Sequence, residues 1–202
     1  MQKNGVCTIN HKSIVFLCFA CWMVCTFTAC AVRTPVRQIT SAEMPAQLKY
    51  RNILLKDMKL SPSLQANAAT SNPIVQCESA AISYLQSKKI FNKVTKQSWG
   101  AQEKNTSNAQ TMVVETELTY LRIVSSAARI WGGVFAGRSA MKINVVLKDG
   151  SDGRVLAQQE LVGAPNAYAA AWGSGALDNS LPAKMGYLLG DYIVAGVVEE
   201  SR

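Results

Sequence analysis

The chain has 202 residues, 49% of them hydrophobic and 17% charged, with a net charge of +8. That length suits one domain with a proper core. Its single histidine is His11, inside a segment that reads as removed on export. The mature chain then has no imidazole, which excludes Ser-His and Cys-His nucleophiles and histidine-ligated zinc or copper.

Residues 1–29 carry Lys3 and Lys12, no acid, and then the apolar run SIVFLCFACWMVCTFTA. A basic start, a short apolar stretch and small residues before a cut site make a bacterial export signal. Phe27, Thr28, Ala29 and Cys30 resemble the lipobox of bacterial lipoproteins, with Phe27 standing where leucine is usual. The thiol of Cys30 is the group that accepts the diacylglyceryl thioether, so Cys30 is the expected lipidation site and the membrane partner is reached through its acyl chains. The competing reading is a retained anchor over residues 13–32, long enough to cross a bilayer. Position 31 is alanine, not aspartate; in lipoproteins similar to this one that favours the outer membrane, here on its periplasmic side.

Cleavage takes Cys7, Cys18, Cys21 and Cys25 away and lowers the net charge to +6. Only Cys30 and Cys77 remain, so no internal disulfide is expected. Two basic stretches stand out, Arg33 to Lys59 and Lys88 to Lys96. They read as solvated faces near an anchor or as attraction to anionic lipid. No nucleic-acid motif is present, and no nucleic acid is expected as a partner.

Residues 30–48, with Pro35 and Pro45, read as a lipidated tether, and 49–202 as one domain. Residues 50–60 read as a first strand. Asn72 and Pro73 read as the cap and first residue of a helix running to Lys89, with Ile74, Cys77, Ala81, Tyr84 and Leu85 facing a sheet. Cys77 on that stripe reads as a small core residue. FNKVTKQ reads as a short strand, and residues 111–124 as a longer one. Its buried face is Met112, Val114, Leu118 and Tyr120, and its solvated face Glu115, Glu117 and Thr119.

Residues 139–161 read as a hairpin, with Met141, Ile143, Val145 and Leu147 inward and the turn at Asp149–Gly153. That turn lacks the further ligands of a calcium loop. Glu115 and Glu117 form an ordinary polar strand face more readily than a catalytic pair. No metal or cofactor is expected. The last helix is expected over residues 180–200, with Gly186 and Gly190 letting it sit tightly on the sheet. Together these elements predict an α+β fold: a mostly antiparallel sheet of about five strands with two helices on one face.

Two segments stand apart. AARIWGGVFAGR, residues 127–138, and GAPNAYAAAWGSGAL, residues 163–177, are too apolar for plain loops. Their large side chains must either fold back on the core or be covered by something else, since contiguous apolar patches mark contact sites. The candidate contact residues are Ile130, Trp131, Val134, Phe135, Tyr168 and Trp172.

The stretches YRNILLKDMKL and GGVFAGRSAMKINVVLKDGSDGRVLAQQEL, followed by a final helix, resemble a bacterial envelope lipoprotein family known as domain of unknown function forty-four-ten. Gly133–Arg138 match its glycine-rich approach to a strand, and Asp149–Leu156 its hairpin. The resemblance covers about residues 50–200. It implies an exported αβ domain and brings no catalytic residues. The expected function is a non-enzymatic outer-membrane lipoprotein that binds another envelope protein or itself. The rival is a ligand-binding or enzymatic domain with a pocket beneath the two aromatic segments, using Glu115, Glu117 and Lys142.

Overall fold

Alternating strands and two amphipathic helices must bury their apolar sides against each other, and the chain does so in two layers. The structure, a computed structural model, describes residues 47–64, 66, 68–99 and 109–201, without the side chains of Ala68 and Tyr168. The leader, Cys30 and the tether up to residue 46 lie outside the described residues. The chain divides into Met1–Cys30 and Ala31–Arg202, and everything described belongs to the second unit.

The strands are β1 (Asn52–Lys56), β2 (Lys59–Leu60), β3 (Lys93–Gln97), β4 (Thr111–Arg122), β5 (Ala140–Asp149) and β6 (Val155–Gly163). They form one sheet in the order β3-β1-β4-β5-β6, with β2 also paired to β4. The expected single strand over residues 50–60 is thus two, broken at Asp57–Met58. The α+β class holds, but among the described residues the sheet has six strands and is mixed: β1 runs parallel to both β3 and β4, and β2 parallel to β4. The reason is the connection. A 20-residue helix, α1 (Ala68–Ser87), lies between β2 and β3. A crossover of that length returns the chain in the same direction, whereas a tight turn would reverse it.

Helix α1 begins five residues before Pro73 and contains it. Asn72 is therefore not its cap. The proline stands early in the helix, where it removes one intrahelical hydrogen bond beyond those the first turn already lacks. The remaining helices are α2 (Ser126–Gly132), followed by a 3-10 turn (Gly133–Ala136), then α3 (Ala167–Trp172), α4 (Ala176–Asn179) and α5 (Leu181–Glu199). Among the described residues there are therefore five α-helices, not two. The additional short ones lie in or at the ends of the two apolar segments. No described helix is long and apolar enough to cross a membrane.

Strands β4 and β5 pair antiparallel from Met112–Asp149 to Arg122–Ala140. Met112, Val114, Leu118, Met141, Ile143, Val145 and Leu147 are fully buried, as the alternation requires. They meet Cys77, Ala81 and Leu85 of α1 and Met185, Leu189, Ile193 and Val197 of α5 in one core. Each such side chain contributes about 1.5–3 kcal/mol of transfer free energy. Tyr120 departs from its expected face and is 41% exposed. The register shifts between Leu118 and Tyr120, and one extra residue swaps the two faces of a strand.

The glycines of α5 also act differently from expectation. A Cβ on Gly186 would lie 2.2 Å from the Cys77 carbonyl oxygen, and one on Gly190 2.4 Å from Tyr84 Cδ1. Both bring α5 against α1, not against the sheet.

Candidate functional site

The two apolar segments fold together at one end of the sheet. α2 and the 3-10 turn join Arg122 at the end of β4 to Ala140 at the start of β5, and α3 and α4 follow the end of β6. The Ser125 hydroxyl caps α2 by accepting the Ala128 N–H at 3.2 Å. The helix stops at Gly133, whose φ of 50° favours glycine. Val124 N–H donates to the wholly buried Ser139 hydroxyl at 2.8 Å, closing the base of the connection. Gly137 passes so close to Arg122 that a Cβ would lie 2.6 Å from Nη2.

The two segments are joined by a buried pair of charges that sequence reading missed. Arg129 Nε donates to Asp178 Oδ2 at 2.7 Å, and Nη2 donates to Oδ1 at 3.0 Å. Nη1 donates to the Gly133 carbonyl at 3.2 Å. Both side chains are fully buried. The pair bolts α2 to α4, and so joins the two segments. A signal was available: Arg129 is the one charge in the interior of residues 127–137, and Asp178 is the first charge after Glu160.

Above this pair the apolar side chains point outward. Ile130 is 66% exposed, Trp131 90%, Phe135 95% and Trp172 69%. Folding back on the core is thereby excluded for these four. Val134 is half-buried. Tyr168 lies on α3, and its side chain is among those not described. Exposed arginines, Arg122 and Arg138, border the patch, and residues 163–177 contain no acid.

The carboxylates of the rival reading, Glu115 and Glu117, lie on the open face of the sheet, in a groove of about 160 Å³ lined also by Lys59, Trp99, Asn144 and Gln158, and no residue of the two aromatic segments lines it. Lys142 is not in that lining and pairs instead with Glu160 at 3.7 Å. Glu115 accepts from Lys56 at 3.0 Å and from Lys148 at 2.7 Å. Burial opposes its charge, but the two lysine hydrogen bonds win and hold its carboxyl below the ordinary range. An ionised, doubly neutralised carboxylate is a poor proton donor at neutral pH. Lys59 and Lys56 ammonium groups lie 3.6 and 4.8 Å from the Trp99 ring centroid. The groove is thus a compensated charge ladder.

Cys77 is buried and its thiol is pushed up to about 12, chiefly by burial and then by the Glu78 charge. It is a core residue without thiolate reactivity. In the turn, the Asp149 carboxylate accepts the Ser151 N–H at 2.9 Å, the Ser151 hydroxyl at 2.6 Å and the Tyr50 hydroxyl at 2.6 Å. Among the described residues no group of three metal-ligating side chains converges.

Comparison with known proteins places these features. Residues 53–181 match a family model described as "Domain of unknown function (DUF4410)". No curated protein matches the chain. Among solved structures, the fold is similar to protein XCC0632 of Xanthomonas campestris, of the DUF330 family, at 12% identity and a TM-score of 0.53. That match covers 83% of this chain and 95% of the other. PelC from Paraburkholderia phytofirmans, a dodecamer, matches at 18% identity and a TM-score of 0.47, covering 78% and 96%. A minor lipoprotein of Acinetobacter baumannii matches at 13% and 0.39, covering 76% and 95%. At these identities the likeness concerns the fold alone.

Proposed function

The chain belongs to the DUF4410 family, and on that footing we propose that it is a non-enzymatic outer-membrane lipoprotein, facing the periplasm. Its lipid sits on Cys30. Its platform of Ile130, Trp131, Val134, Phe135, Tyr168 and Trp172 binds another envelope protein or a second copy of the chain. The observation that carries the contact reading is the exposure of Trp131 and Phe135, 90% and 95%, on a base fixed by a buried ion pair. Monomeric proteins rarely show contiguous apolar surface of this kind, and aromatic anchors dominate contact energetics.

The position of the platform adds to this. The tether joins the domain at the hairpin end of the sheet, where Lys49 lies 3.7 Å from Asp149 and its N–H donates to Ser201. The platform lies at the opposite end of β4. Twelve residues of strand separate the two by roughly 40 Å. The platform is thus at the far end of the domain from residue 49, where a second protein can reach it.

The test is the double substitution Trp131→Ser with Phe135→Ser. Both side chains are exposed, so the circular dichroism spectrum and unfolding midpoint stay near wild type. Crosslinking in intact cells then loses the adducts that the wild-type chain gives. Unchanged adducts would sink the contact reading.

A further inference from the structure

The charge around the platform is of one sign. Residues 122–140 carry Arg122, Arg129 and Arg138 and no acid, and residues 163–177 carry no charge at all. Arg129 is buried against Asp178, so the exposed charges of the two segments are Arg122 and Arg138, both positive.

Arg122 is also held in place. Its Nη2 donates to the Ala136 carbonyl at 3.4 Å, and Ala136 follows Phe135 in the 3-10 turn. Gly137, at a φ of 92°, makes room for the guanidinium, since a Cβ there would lie 2.6 Å from Nη2. A cation on a long, flexible side chain is thereby seated on the turn that carries Phe135. A guanidinium has five N–H donors in a planar fork, and one bond to Ala136 leaves most of that fork for an acceptor outside the chain. The protein group that fits it is a carboxylate, which takes two parallel N–H bonds.

Resting on the reading of the platform as a contact surface, we infer that its partner is a different protein, one that sets an Asp or Glu carboxylate beside an apolar pocket, and that Arg122 clamps this carboxylate. A second copy does not fit. Two-fold association turns a surface on itself, which would bring two Arg122 and two Arg138 into one contact with no acid in either segment to meet them. Like charges facing each other across a contact suppress that pairing. Aromatic side chains and arginine are the groups that anchor contacts between proteins, and here Trp131, Phe135 and Trp172 stand exposed with Arg122 at their border.

The test uses the full-length chain in intact cells, with Phe135 replaced by the photoreactive aromatic p-benzoylphenylalanine. Phe135 is 95% exposed, so the larger ring needs no repacking. Light gives an adduct with a protein other than this chain. On that background Arg122→Glu lowers the adduct yield about tenfold or more, because two carboxylates then face each other. Arg122→Gln keeps an amide that can donate to Ala136 but has no charge, and it lowers the yield roughly threefold or more. Lys93→Glu makes the same change of charge at the other end of the sheet and leaves the yield as it was.

An adduct at twice the mass of the chain would leave the platform in place and overturn the inference. So would equal yields from Arg122→Glu and Lys93→Glu, or an undiminished yield from Arg122→Gln, which tests the charge even where Arg122→Glu disturbs the turn. An adduct with lipid in place of protein overturns it as well. No adduct at all, from a chain that is folded, overturns it together with the reading of the platform as a contact surface.

Discussion

Arg129 and Asp178, 49 residues apart in sequence, meet through two hydrogen bonds of 2.7 and 3.0 Å with no exposed side-chain surface on either. A buried pair of this kind costs desolvation to form, so its contribution lies less in net stability than in the single geometry it enforces. That geometry fixes α2 against α4 and so fixes where Trp131, Phe135 and Trp172 point.

Removing one partner leaves a buried charge alone. Asp178→Ala should therefore destabilise the domain by about 3–5 kcal/mol, read from urea unfolding. Replacing both with apolar residues of similar size, Arg129→Met with Asp178→Leu, should recover most of that loss. It should not restore contact through the platform, because the hydrogen bond from Arg129 to Gly133 is gone as well. Full recovery of in-cell adducts by the double variant would show that the pair does not set the platform.

Acid should weaken the domain through Asp149. Its carboxyl is held well below the usual carboxylate range by hydrogen bonds from the Ser151 hydroxyl first, then the Tyr50 hydroxyl and the Ser151 N–H. A folded-state value below the unfolded one of about 3.9 gives stability that is complete above that pH and lost as pH falls through and below it. The Tm of the wild-type domain should drop as pH is lowered from about 5 toward 2. Asp149→Asn should start lower and show a shallower acid limb. A limb of equal slope in both would remove Asp149 from the account.

The glycines of α5 give a graded test of packing. In Gly186→Ala the new methyl meets backbone of α1, the Cys77 carbonyl oxygen and Ala81 N at 2.2 and 2.9 Å. Backbone cannot yield, so overpacking should cost about 1–3 kcal/mol even after the helix-propensity gain of about 1 kcal/mol. In Gly196→Ala the near neighbour is Leu147 Cδ1 at 2.5 Å, the end of a flexible side chain. That variant should lie within about 1 kcal/mol of wild type. Thermal unfolding of the two, side by side, decides whether the α1–α5 crossing depends on Gly186.

Local patterns were legible in the sequence, and long-range ones were not. The alternation of β5 and the apolar stripe of α5 could be read directly because each periodicity is carried by neighbouring residues. The parallel pairing of β1 with β3 and β4 depends on where a 20-residue helix returns the chain, which no local pattern encodes. Tyr120 was misread because a bulge of one residue leaves the spacing of the hydrophobics intact. The aromatic segments announced themselves as too apolar for loops. Arg129 and Asp178 each stand out as a lone charge in an apolar stretch, but neither neighbourhood says that the two meet across 49 residues.

The lipid proposed on Cys30 is testable apart from everything else. Each buried methylene of an acyl chain contributes about 0.8 kcal/mol of membrane affinity, so a multiply acylated cysteine holds firmly where one chain would not. Cells fed an alkyne analogue of palmitate should label the wild-type chain and not Cys30→Ser. The purified wild-type product should begin at residue 30 with the mass of the acyl chains added. Cys30→Ser should leave the membrane fraction or accumulate uncleaved. If the wild-type chain instead keeps residues 1–29 and stays in the inner membrane unlabelled, residues 13–32 are a retained helix.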